Sequence, residues 1–210
     1  MLTFYDFPMA PSPRRARIVL REKNIPHEMV VVNLMEQEQL SDAFRAINPR
    51  CTVPALRLED GTILDDNAAI IAWADAAYPE PPLLGRTPTE RGLIAGWVAR
   101  VEYEGLLAIA EALRNRTPRM AGRALTGPVD IEQIPELAER GRKRLPYFWE
   151  VLEKRLEGRE FLATDDFTAA DIIALVALDF SNVIKAQPSE DHKEIWRWRR
   201  ALDGRPSVGA

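Results

Sequence analysis

Asn48-Pro49-Arg50-Cys51-Thr52-Val53-Pro54-Ala55-Leu56 and, a short gap later, Asp65-Asp66-Asn67-Ala68-Ala69-Ile70-Ile71 are the segments on which the reading of this chain turns. Pro54 precedes a short apolar run and has no amide proton for a ladder, so it belongs at the entry of a strand or at a sheet edge. A cis bond to Val53 would turn the chain sharply and present the Val53 amide and carbonyl outward; the sequence leaves the isomer open. Asp66 or Asn67 caps the helix that follows, and the amides of its first turn attract a carboxylate. A backbone edge and a helix N-terminus are thereby offered to one small polar ligand. The same features also serve as plain structural devices.

Upstream, Leu2 to Tyr5 reads as a strand broken by Asp6-Phe7-Pro8. The turn Ala10-Pro11-Ser12-Pro13 leads into a helix through about Lys23, with Ala16, Val19 and Leu20 inward and Arg14, Arg17 and Arg21 in water. Met29 to Val32, continuing toward Leu34, is a second strand, and the intervening helix makes parallel pairing with the first natural. A short helix near Gln37 to Ile47 stops at Asn48-Pro49. Ala55–Leu58 and Thr62–Leu64 form a hairpin turned by Asp60-Gly61, and Asn67–Ala77 is again helical. A small mixed sheet covered by helices completes one layered unit. Pro79, Pro81 and Pro82 mark its end.

The remainder reads as all-helical. Thr89 to about Asn115 carries the apolar stripe Leu93, Ile94, Trp97, Val98 and Val101, and Tyr103 adds an amphipathic ring. Residues 117–135 are rich in turns, and a long helix runs from Glu136 to Leu156, with the charged stretch 139–144 facing water. Phe167-Thr168-Ala169-Ala170-Asp171 opens a helix apolar on nearly every side, which belongs in the middle of a bundle; Asp171 is read as a capping residue. Trp196 and Trp198 lie two apart and face different directions. The boundaries are 1–78 for the first domain, 79–88 for a linker and 89–210 for the helical domain.

Composition narrows the function. A chain of 210 residues fits one large domain or two small ones, and a formal net charge of −4 gives no general attraction to nucleic acid or to an anionic membrane surface. One cysteine, Cys51, and two histidines, His27 and His192, supply neither a disulfide framework nor a metal cluster. No secretory pattern opens the chain and no apolar run spans a bilayer, so a cytoplasmic protein without a metal is expected.

Over residues 1 to 206 the chain resembles the cytosolic glutathione S-transferases, of bacterial type and with the class left open. The resemblance implies a thioredoxin-like N-terminal domain and a C-terminal helical bundle. Val53-Pro54 matches the family motif whose proline is cis and whose preceding backbone pairs with the cysteinyl part of glutathione. Asp66-Asn67 stands where relatives carry an acidic residue and serine for the γ-glutamyl end, and 167–171 resembles the family's helix-capping motif. Placed by its Arg-x-Arg ending, the first helix puts Ala10 at the usual catalytic position, while Ser12 is the one hydroxyl in that turn. Ser12 as a donor to the glutathione sulfur, with Arg14 or Arg15 adding positive potential, stands beside Ser12 as an ordinary cap.

The resemblance further implies a homodimer, glutathione as cosubstrate, and a pocket for a small hydrophobic electrophile involving Ala10, Arg14, Arg100, Tyr103 and Leu107. The expected activity is glutathione transfer. Glutathione-dependent peroxide or disulfide reduction and a non-enzymatic glutathione-binding or protein-interaction module are the alternatives.

Overall fold

Thr3–Asp6 (β1) is the strand on which the first sheet is assembled, and all four of its residues are buried. It pairs in parallel with Glu28–Val31 (β2), Thr3 opposite Glu28, and antiparallel with Ala55–Arg57 (β3), Phe4 opposite Leu56. Ile63–Leu64 (β4) adds to β3 antiparallel, giving the order β2-β1-β3-β4. The computed structural model describes residues 1–209, and they separate into two units: residues 1–81 with 126–129, and residues 82–125 with 130–209.

In the first unit the crossover between the parallel strands is Pro11–Glu22 (α1), as a parallel connection requires. Asp42–Ile47 (α2) is capped by Ser41, whose hydroxyl accepts from the Phe44 amide at 3.2 Å. Asn67–Ala77 (α3) packs against α1. Tyr5, Val32, Phe44, Val53 and Ala55 form a buried cluster, with the Tyr5 and Phe44 rings edge to face at 5.8 Å. The result is the thioredoxin-like arrangement expected.

The hairpin forms through the turn read from the sequence: Gly61 adopts φ +89°, a left-handed conformation that favours glycine, and the Asp60 carboxylate accepts from the Thr62 amide at 2.9 Å. The second strand stops at Val31, and Leu34–Glu36 is a short 3-10 turn, because the Asn33 side chain caps it by accepting from Met35 N at 3.0 Å. Only residues 42–47 of the helix expected from Gln37 are α-helical.

The second unit is built mainly of α-helices: Pro88–Arg100 (α4), Leu107–Arg114 (α5), Pro135–Leu156 (α6), Ala169–Ser181 (α7) and Lys193–Ala201 (α8). The single helix expected over 89–115 contains a π-helical turn at Val101–Leu106. From Ala169 to Leu178 every residue of α7 is buried. Asp171 completes its start: Oδ2 accepts from the Thr168 amide and hydroxyl, both at 3.1 Å, and Oδ1 from the Leu162 amide at 2.8 Å and the Trp198 indole at 3.1 Å. Trp198 is buried, whereas Trp196 is half-buried and donates to the Ser189 carbonyl at 3.0 Å.

The 139–144 run is not wholly wet. Gly141 is buried where α6 meets α5, and a Cβ there would strike the Ala108 carbonyl and lie 3.0 Å from the Ala112 nitrogen. Arg140 and Arg144 both pair with Glu111. The near approach of two helix backbones at a glycine turned one side of this charged stretch inward. Among the described residues no helix is long and apolar enough to cross a membrane.

Candidate functional site

The start of α1 departs from the capping reading. Ala10, at φ −88° and ψ 138°, is the N-cap, so Pro11, Ser12 and Pro13 are the first three helical residues. A helix leaves its first four amides without intrahelical partners. Here Ala10 N donates to the Phe7 carbonyl at 2.9 Å and the two prolines carry no N–H, which leaves the Ser12 amide. The Ser12 hydroxyl caps nothing: it accepts from Arg15 Nη2 at 3.0 Å and from Asn67 Nδ2 at 2.9 Å. Ser12 is half-buried.

The turn before this helix is fixed from below. Asp6, at the end of β1, is fully buried, and its two oxygens accept from Arg17 Nη1 at 2.7 and 2.5 Å. Arg17 Nη2 also donates to the Pro8 carbonyl at 3.2 Å. The expectation that Arg17 stays in water is therefore corrected. Spacing on the helix gave it the same polar face as Arg14 and Arg21, but a buried carboxylate on the neighbouring strand draws it in, where burial without a partner would be costly.

The loop into β3 is held by a residue the sequence reading passed over. Asn48 is buried; its Nδ2 donates to the Thr52 carbonyl at 2.8 Å, and its Oδ1 accepts from the Arg50 amide at 3.0 Å. An asparagine that ends a helix just before proline, a few residues ahead of Val-Pro, was the available signal. Within the loop Cys51 adopts φ +53° and is buried, its thiol 3.6 Å from the Pro49 carbonyl. The Val53–Pro54 bond is cis. Among the described residues no hydrogen bond engages the Val53 amide or carbonyl, while its side chain packs in the cluster with Tyr5 and Phe44.

At the head of α3, Asp66 is the cap. It is exposed, and its Oδ1 accepts from the Ala68 amide at 2.8 Å. Asn67 is only 4% exposed; its amide nitrogen is engaged by Ser12, and its Oδ1 is buried with no hydrogen-bond partner. Ser12 and Asn67, from the heads of two helices and 55 residues apart, are thus brought into direct contact. Arg14 is half-buried on α1 and Ala10 sits beside Ser12 as the cap residue.

The remaining expected residues belong to the second unit. Arg100, Tyr103 and Leu107 are all exposed, Tyr103 at 65%. Arg100 lies 5.0 Å over the Trp97 ring and pairs with Glu104 at 3.7 Å. Arg144, which the sequence reading left in water, stacks 4.7 Å over the Tyr103 ring and donates to the Tyr103 carbonyl at 2.6 Å. His27 is held to the Ile25 carbonyl at 2.8 Å and His192 to the Ser189 hydroxyl at 3.0 Å.

Residues 10–77 match the N-terminal domain of glutathione S-transferases, and residues 119–206 match their C-terminal domain. Glutathione S-transferase 2 of Saccharomyces cerevisiae is 33% identical over 210 residues, a match that covers 99% of this chain and 88% of the yeast protein. The chain belongs to the glutathione S-transferase family. A glutathione S-transferase domain-containing protein of Marinobacter aquaeolei has a crystal structure that superposes with a TM-score of 0.88 at 32% identity, covering 98% of this chain and 99% of that one. Gtt2 of Saccharomyces cerevisiae superposes with a TM-score of 0.88 at 33% identity, covering 99% and 98%.

Proposed function

We propose that the protein is a glutathione transferase that adds the glutathione thiolate to a small hydrophobic electrophile. The observation that carries this reading is the pair of donors at Ser12: an amide that the helix cannot use and a hydroxyl held in place by Arg15 and Asn67. Hydrogen bonds donated to a sulfur favour its anionic form and raise the reactive fraction at neutral pH. The unpaired Val53 amide and carbonyl offer an antiparallel seat for the cysteinyl part of the tripeptide. Asp66 accepts from the ligand's ammonium, and the first-turn amides of α3 attract the neighbouring carboxylate. Arg100, Tyr103 and Leu107 are assigned to the electrophile, for which the exposed Tyr103 ring, with the Arg144 guanidinium stacked on it, supplies mixed apolar and polar contact.

The chemical step requires no residue to exchange electrons. The thiol proton leaves to solvent, the sulfur lone pair forms a bond to the electrophilic carbon, and the displaced electron pair leaves with the leaving group or takes a proton from water. Steady-state turnover against a panel of electrophiles, peroxides and disulfides tests the reading. Glutathione-dependent conjugation that falls about tenfold or more in Ser12→Ala is expected. Turnover of peroxides or disulfides alone would move the chemistry to reduction, and glutathione binding with no turnover at all would leave a binding module.

A further inference from the structure

A serine hydroxyl has one proton to give and two lone pairs to offer. At Ser12 both lone pairs face donors. The Arg15 guanidinium, which can only donate, stands at 3.0 Å, and the Asn67 amide nitrogen stands at 2.9 Å. Asn67 is 96% buried; its amide nitrogen, and not its oxygen, is presented to Ser12, and the oxygen is buried without a partner. If the amide were reversed, its oxygen would take the Ser12 proton inward. With the nitrogen inward, that proton is not spent within the network.

We propose that Arg15 and Asn67 are positioning residues that fix Ser12 as a hydrogen-bond donor toward a bound thiolate. The proposal rests on the reading above that glutathione sulfur lies at Ser12. It gives the asparagine at 67 a role distinct from holding the ligand's carboxylate: its amide nitrogen is directed at a neighbouring side chain across two helix heads. It also distinguishes Arg15 from a distant positive charge. A charge acting through space lowers the thiol pKa whether or not a hydroxyl is present; the positioning part of a residue's effect is lost when the hydroxyl is removed.

The test is a double-mutant cycle read by the ultraviolet thiolate absorbance of glutathione bound at saturation, titrated against pH. In the wild-type background, Asn67→Leu removes the donor without adding a charge, and Arg15→Met removes the other donor. Each is expected to raise the bound-thiol pKa by about one unit, roughly a tenfold loss of thiolate at neutral pH, while Arg15→Lys restores most of it. In the Ser12→Ala background Asn67→Leu is expected to leave the pKa unmoved and Arg15→Met to shift it by clearly less than in the wild type, the remainder being the field of the lost charge. Equal shifts in both backgrounds would overturn the proposal in favour of a through-space field. If Ser12→Ala itself left the pKa unmoved, the assignment of Ser12 in the proposed function would fall with it. A shift with Ser12→Ala but none with either partner would overturn the positioning role alone. Thermal melts of every variant separate these outcomes from unfolding, and Arg15→Met keeps the cycle readable if Asn67→Leu does not fold.

Discussion

Arg17 shows how much one side chain decides at this site. Its guanidinium spans the end of β1 and the turn that leads to Ser12, satisfying both oxygens of the buried Asp6 and the Pro8 carbonyl at once. Replacement by methionine would keep the volume and strand a buried carboxylate, a change that costs about 3–5 kcal/mol. Chemical denaturation of Arg17→Met is expected to show a loss of that order, whereas a midpoint equal to wild type would contradict the role assigned to the pair. The same residue marks where sequence periodicity failed. A helical wheel places Arg17 by its own helix; what buried it was a carboxylate eleven residues earlier on a different element. The contact of Asn67 with Ser12 was hidden for the same reason, since it is set by where two helix heads meet. The proline ahead of β3 and the Asp66 cap of α3 were legible because proline chemistry and capping are local.

At the scale of elements, the hairpin, α3 and the buried α7 follow from patterns written in short range: Asp-Gly at a turn, an acidic cap, an unbroken apolar run. The π-helical turn at 101–106 and the close approach of α5 and α6 at Gly141 were not legible, because each depends on the neighbouring helix. Asp171 joins three elements, receiving the amide before α7, the Leu162 amide and the α8 indole. Burial, opposed by those donors, pushes its carboxyl up from 3.8 to about 6. The folded chain therefore holds this proton at pH values where the unfolded chain has released it. Stability from this group is fully present below about pH 4 and is lost as pH rises through about 6, by up to about 3 kcal/mol. The melting-temperature gap between wild type and Asp171→Asn is expected to be more favourable to wild type at about pH 5 than at about pH 7.5. A gap that does not change with pH would contradict this account of Asp171.

For the whole molecule, the four-stranded thioredoxin-like unit and the helical unit each serve a family whose members share this architecture, and fold alone assigns no chemistry. The proposed function rests instead on a few groups in the first unit: an amide left over at a proline-flanked helix start, a hydroxyl whose lone pairs are occupied, and a cis-proline loop whose preceding backbone is unpaired. The carboxylate at the head of α3 completes the set. The measurement that addresses them together is a crystal structure of the protein with glutathione bound. The account predicts the glutathione sulfur within about 3.5 Å of the Ser12 hydroxyl oxygen or amide nitrogen, with the cysteinyl backbone paired to Val53 and the ammonium at Asp66. A sulfur held by other donors, with the Val53 edge empty, would contradict it.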